Sequence, residues 1–243
     1  AIRSFGADAI LSDCVAKATA TFTPSSCDLV HRDAAGSLWL TPGGYVTDLP
    51  ANVGSVQTAG IEVNGSYRYP LNFGALSLSF QGTYLDKYKV DNGLTEPYDC
   101  AGYYGGTCSA GGTTDSGAPL PRWRHKARLS LQTNSNIGVS LQWRYVGPVT
   151  AEVFSPSSTL AGSLSYYGKG LHIGAQSYFD LMASYTFMED YKLRIGVNNI
   201  FDKQPPYVPS GTLCPTGPCN GNTYPGTWDA LGRYIFAGVT LDF

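Results

Sequence analysis

The residues whose types and spacing most directly suggest chemistry are six cysteines, which fall as three close neighbours: Cys14 with Cys27, Cys100 with Cys108, and Cys214 with Cys219. Close pairs inside Gly- and Pro-rich segments point to clipped loops in an oxidising compartment. Six cysteines allow many connectivities, and the local clustering favours nearest-neighbour bridges. A zinc site is the rival reading, because His31 follows Cys27 and Cys219 follows Cys214. Neither cluster has a second ligand pair at finger spacing, so no metal or other cofactor is expected. Catalysis is not expected either. The three histidines, His31, His125 and His172, are dispersed. A lipase-type Ser/His/Asp or Ser/His/Asn set finds no serine marked by a nucleophile-elbow pattern.

The second chemical feature is a set of charges spaced two apart. Arg124, Lys126 and Arg128 fall on one face of an alternating run, as do Lys192 and Arg194 of another. Glu62, Arg68, Arg144, Asp180 and Asp242 occupy the same polar positions of their own runs. These charges read either as a binding surface for an anionic ligand or as an ordinary hydrated wall. A third group is aromatic: Tyr98, Tyr103, Tyr104, Tyr166, Tyr167, Tyr207, Tyr224 and Trp228 lie in loop-like segments. Such rings stack on a sugar or an aromatic chelate, or pack the loops together.

The elements that position these residues are strands. Ile61, Val63, Gly65, Tyr67 and Tyr69 alternate with Glu62, Asn64, Ser66 and Arg68. A period of two is the mark of a half-buried strand. Asn64-Gly65 is a hairpin dipeptide, but the alternation continues across it and favours one strand. Pro70–Phe73 reads as a turn before Leu76, Leu78, Phe80 and Tyr84. A polar segment from Lys89 to Pro121 follows. Trp123, Ala127, Leu129 and Leu131 oppose the basic row, and Asn134–Asn136 turns the chain into Val139, Leu141, Trp143 and Tyr145. A loop from Gly147 to about Ala175 leads to Phe179, Leu181, Ala183, Tyr185 and Phe187. Met188–Asp190 is a tight turn into Leu193, Ile195 and Val197, and Asp202–Leu231 is the last loop. Seven strands are expected, with an eighth possible before residue 52, where Leu38-Trp39-Leu40 reads as a weak strand or a structured loop. Gly6–Val15 reads as a short helix.

Short turn and long loop alternate, four times over by this reading. A soluble β-sandwich has no reason to segregate its connections so strictly, whereas a barrel in a bilayer keeps short turns on one side and long loops on the other. Tyr67, Tyr69, Phe73, Tyr84, Trp123, Trp143, Tyr145 and Phe187 sit near strand ends, as interfacial aromatic girdles do. The net charge of −2 and a pI near 5.9 argue against a nucleic-acid partner. No apolar run is long enough for a membrane helix, which leaves a barrel open, since its strands are half polar.

The final strand carries a resemblance. In Arg233-Tyr-Ile-Phe-Ala-Gly-Val-Thr-Leu-Asp-Phe243, the positions Gly238, Leu241 and Phe243 match the closing signature of outer-membrane barrels. With Val197-Asn-Asn-Ile-Phe-Asp-Lys-Gln-Pro-Pro206 upstream and the Gly60-Ile-Glu62 strand entry, the chain resembles the C-terminal part of the TonB-dependent outer-membrane receptors. The resemblance implies an all-β fold: residues 1–243 as the C-terminal seven or eight strands of a larger antiparallel transmembrane barrel with long extracellular loops. It implies a receptor importing an iron chelate, carbohydrate or similar nutrient in the outer membrane of a Gram-negative cell. The implied partners are the remainder of the barrel, an N-terminal plug domain, TonB through a segment outside these residues, the barrel-assembly machinery, and the bilayer with its lipopolysaccharide. Gly238, Leu241 and Phe243 would be the assembly signal. Arg68, Arg124, Lys126, Arg128, Arg144, Lys192 and Arg194 would face the lumen. The first eleven residues have no initiator Met, apolar core or cleavage site, so the chain is expected to begin inside a longer protein. Two other classes compete: a small stand-alone outer-membrane pore or anchor, and a secreted β-rich adhesion or structural module.

Overall fold

The structure, a computed structural model, describes residues 2–3, 5–52, 54–93, 95–109, 118–161, 171–187, 191–209, 213–214 and 217–241. Alternation of branched and aromatic residues with small polar ones gives seven long strands: β1 (Ser55–Leu71), β2 (Gly74–Asp91), β3 (Trp123–Thr133), β4 (Ile137–Val146), β5 (Gln176–Phe187), β6 (Tyr191–Asn198) and β7 (Tyr234–Leu241). Each pairs with its sequence neighbour in an antiparallel meander running from β1 to β7. The sheet is open, because β1 and β7 are its two edges and do not pair with one another.

The register builds two chemically opposite faces. Tyr67, Leu78, Leu129, Leu141, Leu181, Val197 and Ile235 are successive cross-strand partners in one apolar row. The row beside it runs Ser79–Arg128–Gln142–Asp180 on the other face. The apolar face is exposed along its length, Ile61, Leu141, Leu181, Ile195 and Ile235 included. It carries two aromatic bands. One holds Phe80, Trp123, His125, Trp143, Tyr145 and Phe179, in which His125 stacks on Tyr145 at 5.0 Å between ring centroids. The other stacks Tyr185, Phe187 and Tyr191 at 6.0 and 5.2 Å. One bulge interrupts the ladder, between Ala59 and Gly60. There the Tyr84 carbonyl lies where a β-carbon would stand, so only glycine fits that approach.

Several expected boundaries move. β1 runs through Pro70 to Leu71, two residues into the expected turn. β2 extends to Asp91 because its upper end is packed by loop residues: Val90 is buried with Tyr98, Cys100, Cys108 and Leu160. The alternation of short turn and long loop occurs three times after β1, not four. Residues before Ser55 enter at the long-loop end, where Ala7–Lys17 forms helix α1 and Val30–His31 pairs briefly with Tyr45–Val46. Of the two readings of Leu38-Trp39-Leu40, the loop holds and the strand does not: it is a bend with Trp39 and Leu40 exposed. The Met188–Asp190 turn, Tyr166, Tyr167, Asp242 and Phe243 lie outside the described residues.

The buried side chains are concentrated away from the middle of the sheet. Tyr104, Val149, Ala151, Ile173, Tyr178, Val208, Leu213, Cys219, Tyr224 and Trp228, drawn from all three long connections and the start of β5, form one core above the sheet.

Candidate functional site

The site is assembled where the polar face meets the loop core. Arg144 sits near the top of β4, opposite Tyr178 of β5, and its guanidinium lies 5.2 Å from the Tyr178 ring centre. Asp180, two residues along β5 on the same face, receives the Arg144 fork: Nε donates to Oδ2 at 2.7 Å and Nη2 to Oδ1 at 2.8 Å. Asp180 also accepts from Gln142 Nε2 (3.1 Å) and from the Asn199 backbone N–H (2.9 Å). Gln142 in turn accepts from Arg128 at 2.8 Å. This continuous network runs from the middle of the wall to its rim.

Its upper end is closed by a residue far away in sequence. Asp229, in the connection between β6 and β7, accepts from Arg144 Nη2 at 3.0 Å. That connection is pinned at its root. Asn199 takes a positive φ and exchanges hydrogen bonds with Lys203, and Asp202 accepts from the Arg233 N–H across both ends of the loop. Tyr224 donates to the Leu213 carbonyl at 2.8 Å, and Trp228 is buried beside it. Between these two anchors, Pro225-Gly226-Thr227 forms a lip.

Two hollows flank the lip. One, of about 600 Å³, is lined by Glu62, Arg124, Lys126, Arg144 and Thr227 among others; the other, of about 880 Å³, by Asp180, Arg144, Thr227 and Asp229. Of the seven cations expected on the polar face, Arg144 alone makes an ion pair among the described residues. Arg124 and Lys126 line the first hollow, Arg128 and Lys126 a neighbouring one, and Arg68 a third lower on the wall. Lys192 and Arg194 stand on β6, away from these hollows, with Arg194 opposite Gly238. The wall therefore offers a net positive, hydrogen-bonding surface. No group of three or more potential metal ligands occurs among the described residues.

The three cysteine pairs are bridged as nearest neighbours: Cys14–Cys27, Cys100–Cys108 and Cys214–Cys219. The second bridge closes a loop whose Thr107 and Cys108 N–H groups donate to the Glu152 carboxylate at 2.8 and 2.6 Å. Glu152 is buried, and burial pushes its carboxyl above the ordinary range while these donors pull the other way. Of the loop aromatics, Tyr98, Tyr104, Tyr224 and Trp228 are buried in the loop cores, Tyr103 packs against one of them, and Tyr207 is exposed. Asp229 and Glu152 were not singled out in the sequence. Their only local signal is an acidic residue beside a buried apolar one, which is too common to read.

The open amphipathic sheet, with short turns at one end and disulfide-clipped loops at the other, has a family. The model described as TonB dependent receptor-like, beta-barrel matches residues 19–200. The chain belongs to that family. A solved receptor shares the fold. The ferric enterobactin receptor of Pseudomonas aeruginosa superposes with a TM-score of 0.52 at 17% identity, over 82% of this chain and 24% of that one. The same receptor in complex with enterobactin gives the same values. The siderophore receptor PirA of Acinetobacter baumannii gives 0.48 at 16% identity, over 87% and 25%. No curated protein matches. The chain spans about a quarter of the length of these receptors. In this family's barrel fold, the apolar bands and the Arg144 network lie on opposite faces of one sheet.

Proposed function

We propose that residues 1–243 are the C-terminal portion of an outer-membrane receptor of a Gram-negative cell. The receptor captures an anionic iron chelate at its loop end and imports it with energy supplied through TonB. The observation that carries this reading is the contrast across one sheet. An apolar face with two aromatic bands backs a polar face whose Arg68, Arg124, Lys126 and Arg128 have no acidic partner among the described residues. An anionic chelate supplies the missing counter-charge. The fold shared with the ferric enterobactin receptor supports the choice of an iron chelate over a neutral sugar.

The partners belong to the same proposal. The edges of β1 and β7 present unpaired backbone groups, which hydrocarbon does not tolerate, so the remaining strands of the barrel pair with them. A plug fills the lumen, and TonB engages a segment outside residues 1–243. The apolar face meets lipid and lipopolysaccharide. Gly238, Leu241 and Phe243 form the signal taken up by the barrel-assembly machinery.

The test is uptake of radiolabelled ferric chelates, catecholate and carboxylate types in parallel, by cells expressing the intact receptor. Accumulation of one chelate class that needs both the receptor and TonB is expected. Recovery of the receptor outside the outer-membrane fraction, or chelate uptake indifferent to TonB, would overturn the reading.

A further inference from the structure

A guanidinium has two edges able to hold a carboxylate in a fork, Nε with Nη2 and Nη1 with Nη2. In Arg144 the first edge is filled by Asp180, with bonds of 2.7 and 2.8 Å. The second is half used. Asp229 takes one Nη2 hydrogen at 3.0 Å, and Nη1 has no partner among the described residues. The two aspartates are held differently. Asp180 is fixed by Gln142 and the Asn199 N–H as well as by Arg144. The Asp229 carboxylate is held by Arg144 alone among the described residues. Asp180 is thus a permanent part of the wall, whereas Asp229 is tied down at one point.

The position of that point gives it a consequence. Arg144, Gly226 and Thr227 line both hollows, so the segment ending in Asp229 is the partition between them. Arg124 and Lys126 stand in the first hollow and raise the local potential for an anion arriving there. We infer that Asp229 is a resident stand-in for a ligand carboxylate on the Nη1/Nη2 edge of Arg144. A carboxylate-bearing ligand forks onto that edge, gains the Nη1 hydrogen bond that Asp229 lacks and displaces Asp229. The Pro225–Thr227 lip is then held only by its two buried anchors and by the Thr227 and Trp228 N–H bonds to the Tyr224 carbonyl; hinged there, the lip moves and the two hollows join. The exchange is one anion for another on a cation that stays paired with Asp180, so Arg144 is never left bare, and the half-buried Asp229 carboxylate turns out into water. This inference rests on the receptor reading above and narrows its ligand to one with a planar carboxylate.

The test places a nitroxide at Gly226 of the intact receptor through Gly226→Cys, a position where an added β-carbon meets nothing within 4 Å. Citrate is the probe, without and with ferric iron. In the otherwise unaltered receptor the label is immobile, and citrate mobilises it. Asp229→Asn and Asp229→Ala mobilise the label without citrate and tighten citrate binding by roughly tenfold, the worth of one charge-assisted hydrogen bond no longer competed for. Arg144→Lys keeps the charge but loses the fork and abolishes the citrate response. If neither Asp229 variant changes lip mobility or citrate affinity, the exchange is overturned, even where ferric chelates are still imported through TonB. If the label and affinities behave as stated while no chelate is imported, the exchange stands and the receptor reading fails.

Discussion

The wall and the cap of this molecule are stabilised by opposite means. In the wall, from Tyr67 across to Ile235, the apolar row is exposed apart from half-buried Val197. Order there comes from a backbone ladder with one bulge, at Ala59/Gly60, and, in the proposed membrane, from lipid contact. In the cap, Trp228, Tyr224, Tyr104 and Tyr178 are buried against one another and the loops are closed by disulfides. The cap is built like a small water-soluble domain, and the wall like an inside-out one. Damage to either region should therefore be felt locally and through different solvents.

The largest separation of the two is expected from Trp228→Ala, which empties the centre of the cap. Loss of a buried tryptophan costs about 3–5 kcal/mol. Limited proteolysis of the intact receptor should show cleavage in the 199–233 connection, while the heat-modifiable mobility of the barrel stays normal. Barrel unfolding in step with cap cleavage would erase the distinction. The converse is Leu181→Arg, in the middle of the outward apolar row. A charge at the centre of a lipid-facing wall costs about 2–4 kcal/mol. Its effect should appear as lower denaturant resistance of the barrel in lipid, with cap proteolysis unchanged.

Reduction sharpens the comparison further. Closing loops this short is worth about 2–3 kcal/mol per bridge. Mild reductant should raise amide exchange around Cys100–Cys108 and Cys214–Cys219 and leave β3–β5 protected. Equal loss of protection in the strands would show that cap and wall fold as one unit.

The smallest expected effect is a pH dependence confined to the cap. The Glu152 carboxyl is held above its ordinary value of 4.5, chiefly by burial. The folded loop then binds more protons than the unfolded one between 4.5 and its own higher value. Its contribution is complete below 4.5 and is lost as pH rises through that window. Amide exchange at Thr107 and Cys108 should therefore quicken as pH rises from 4 to 7 after correction for intrinsic rates, and Glu152→Gln should flatten the profile. A profile rising toward acid would reverse the sign and give the amide donors the upper hand over burial.

The same contrast explains what the sequence made legible. In the wall, a period of two fixes which face each side chain takes, so the seven strands and both faces were readable from residues such as Leu141 and Gln142. Strand ends were less so. Val90 extends β2 because it packs on Tyr98 and Leu160, contacts made across a loop with no period. Within the site, Arg144, Arg128 and Asp180 were readable from alternation, but Asp229 was not. It lies 85 residues from Arg144, and only the folded connection between β6 and β7 brings it there. His125 was read only as one of three dispersed histidines. Its place in the outer aromatic band follows from partners on β2, β3 and β4 that no local pattern announces.

The strand lengths have a consequence of their own. β1 and β2 contain 17 and 18 residues, against 8 to 12 for the other five. At about 3.4 Å per residue the first hairpin is roughly 60 Å long, and a tilt of about 40° still leaves it over 40 Å tall, against an apolar band of about 25 Å. In the proposed membrane the β1–β2 flank of this wall stands higher than the β6–β7 flank. On the proposed reading, an anion reaches the lip that Asp229 holds by passing over the lower β6–β7 flank, not the β1–β2 one.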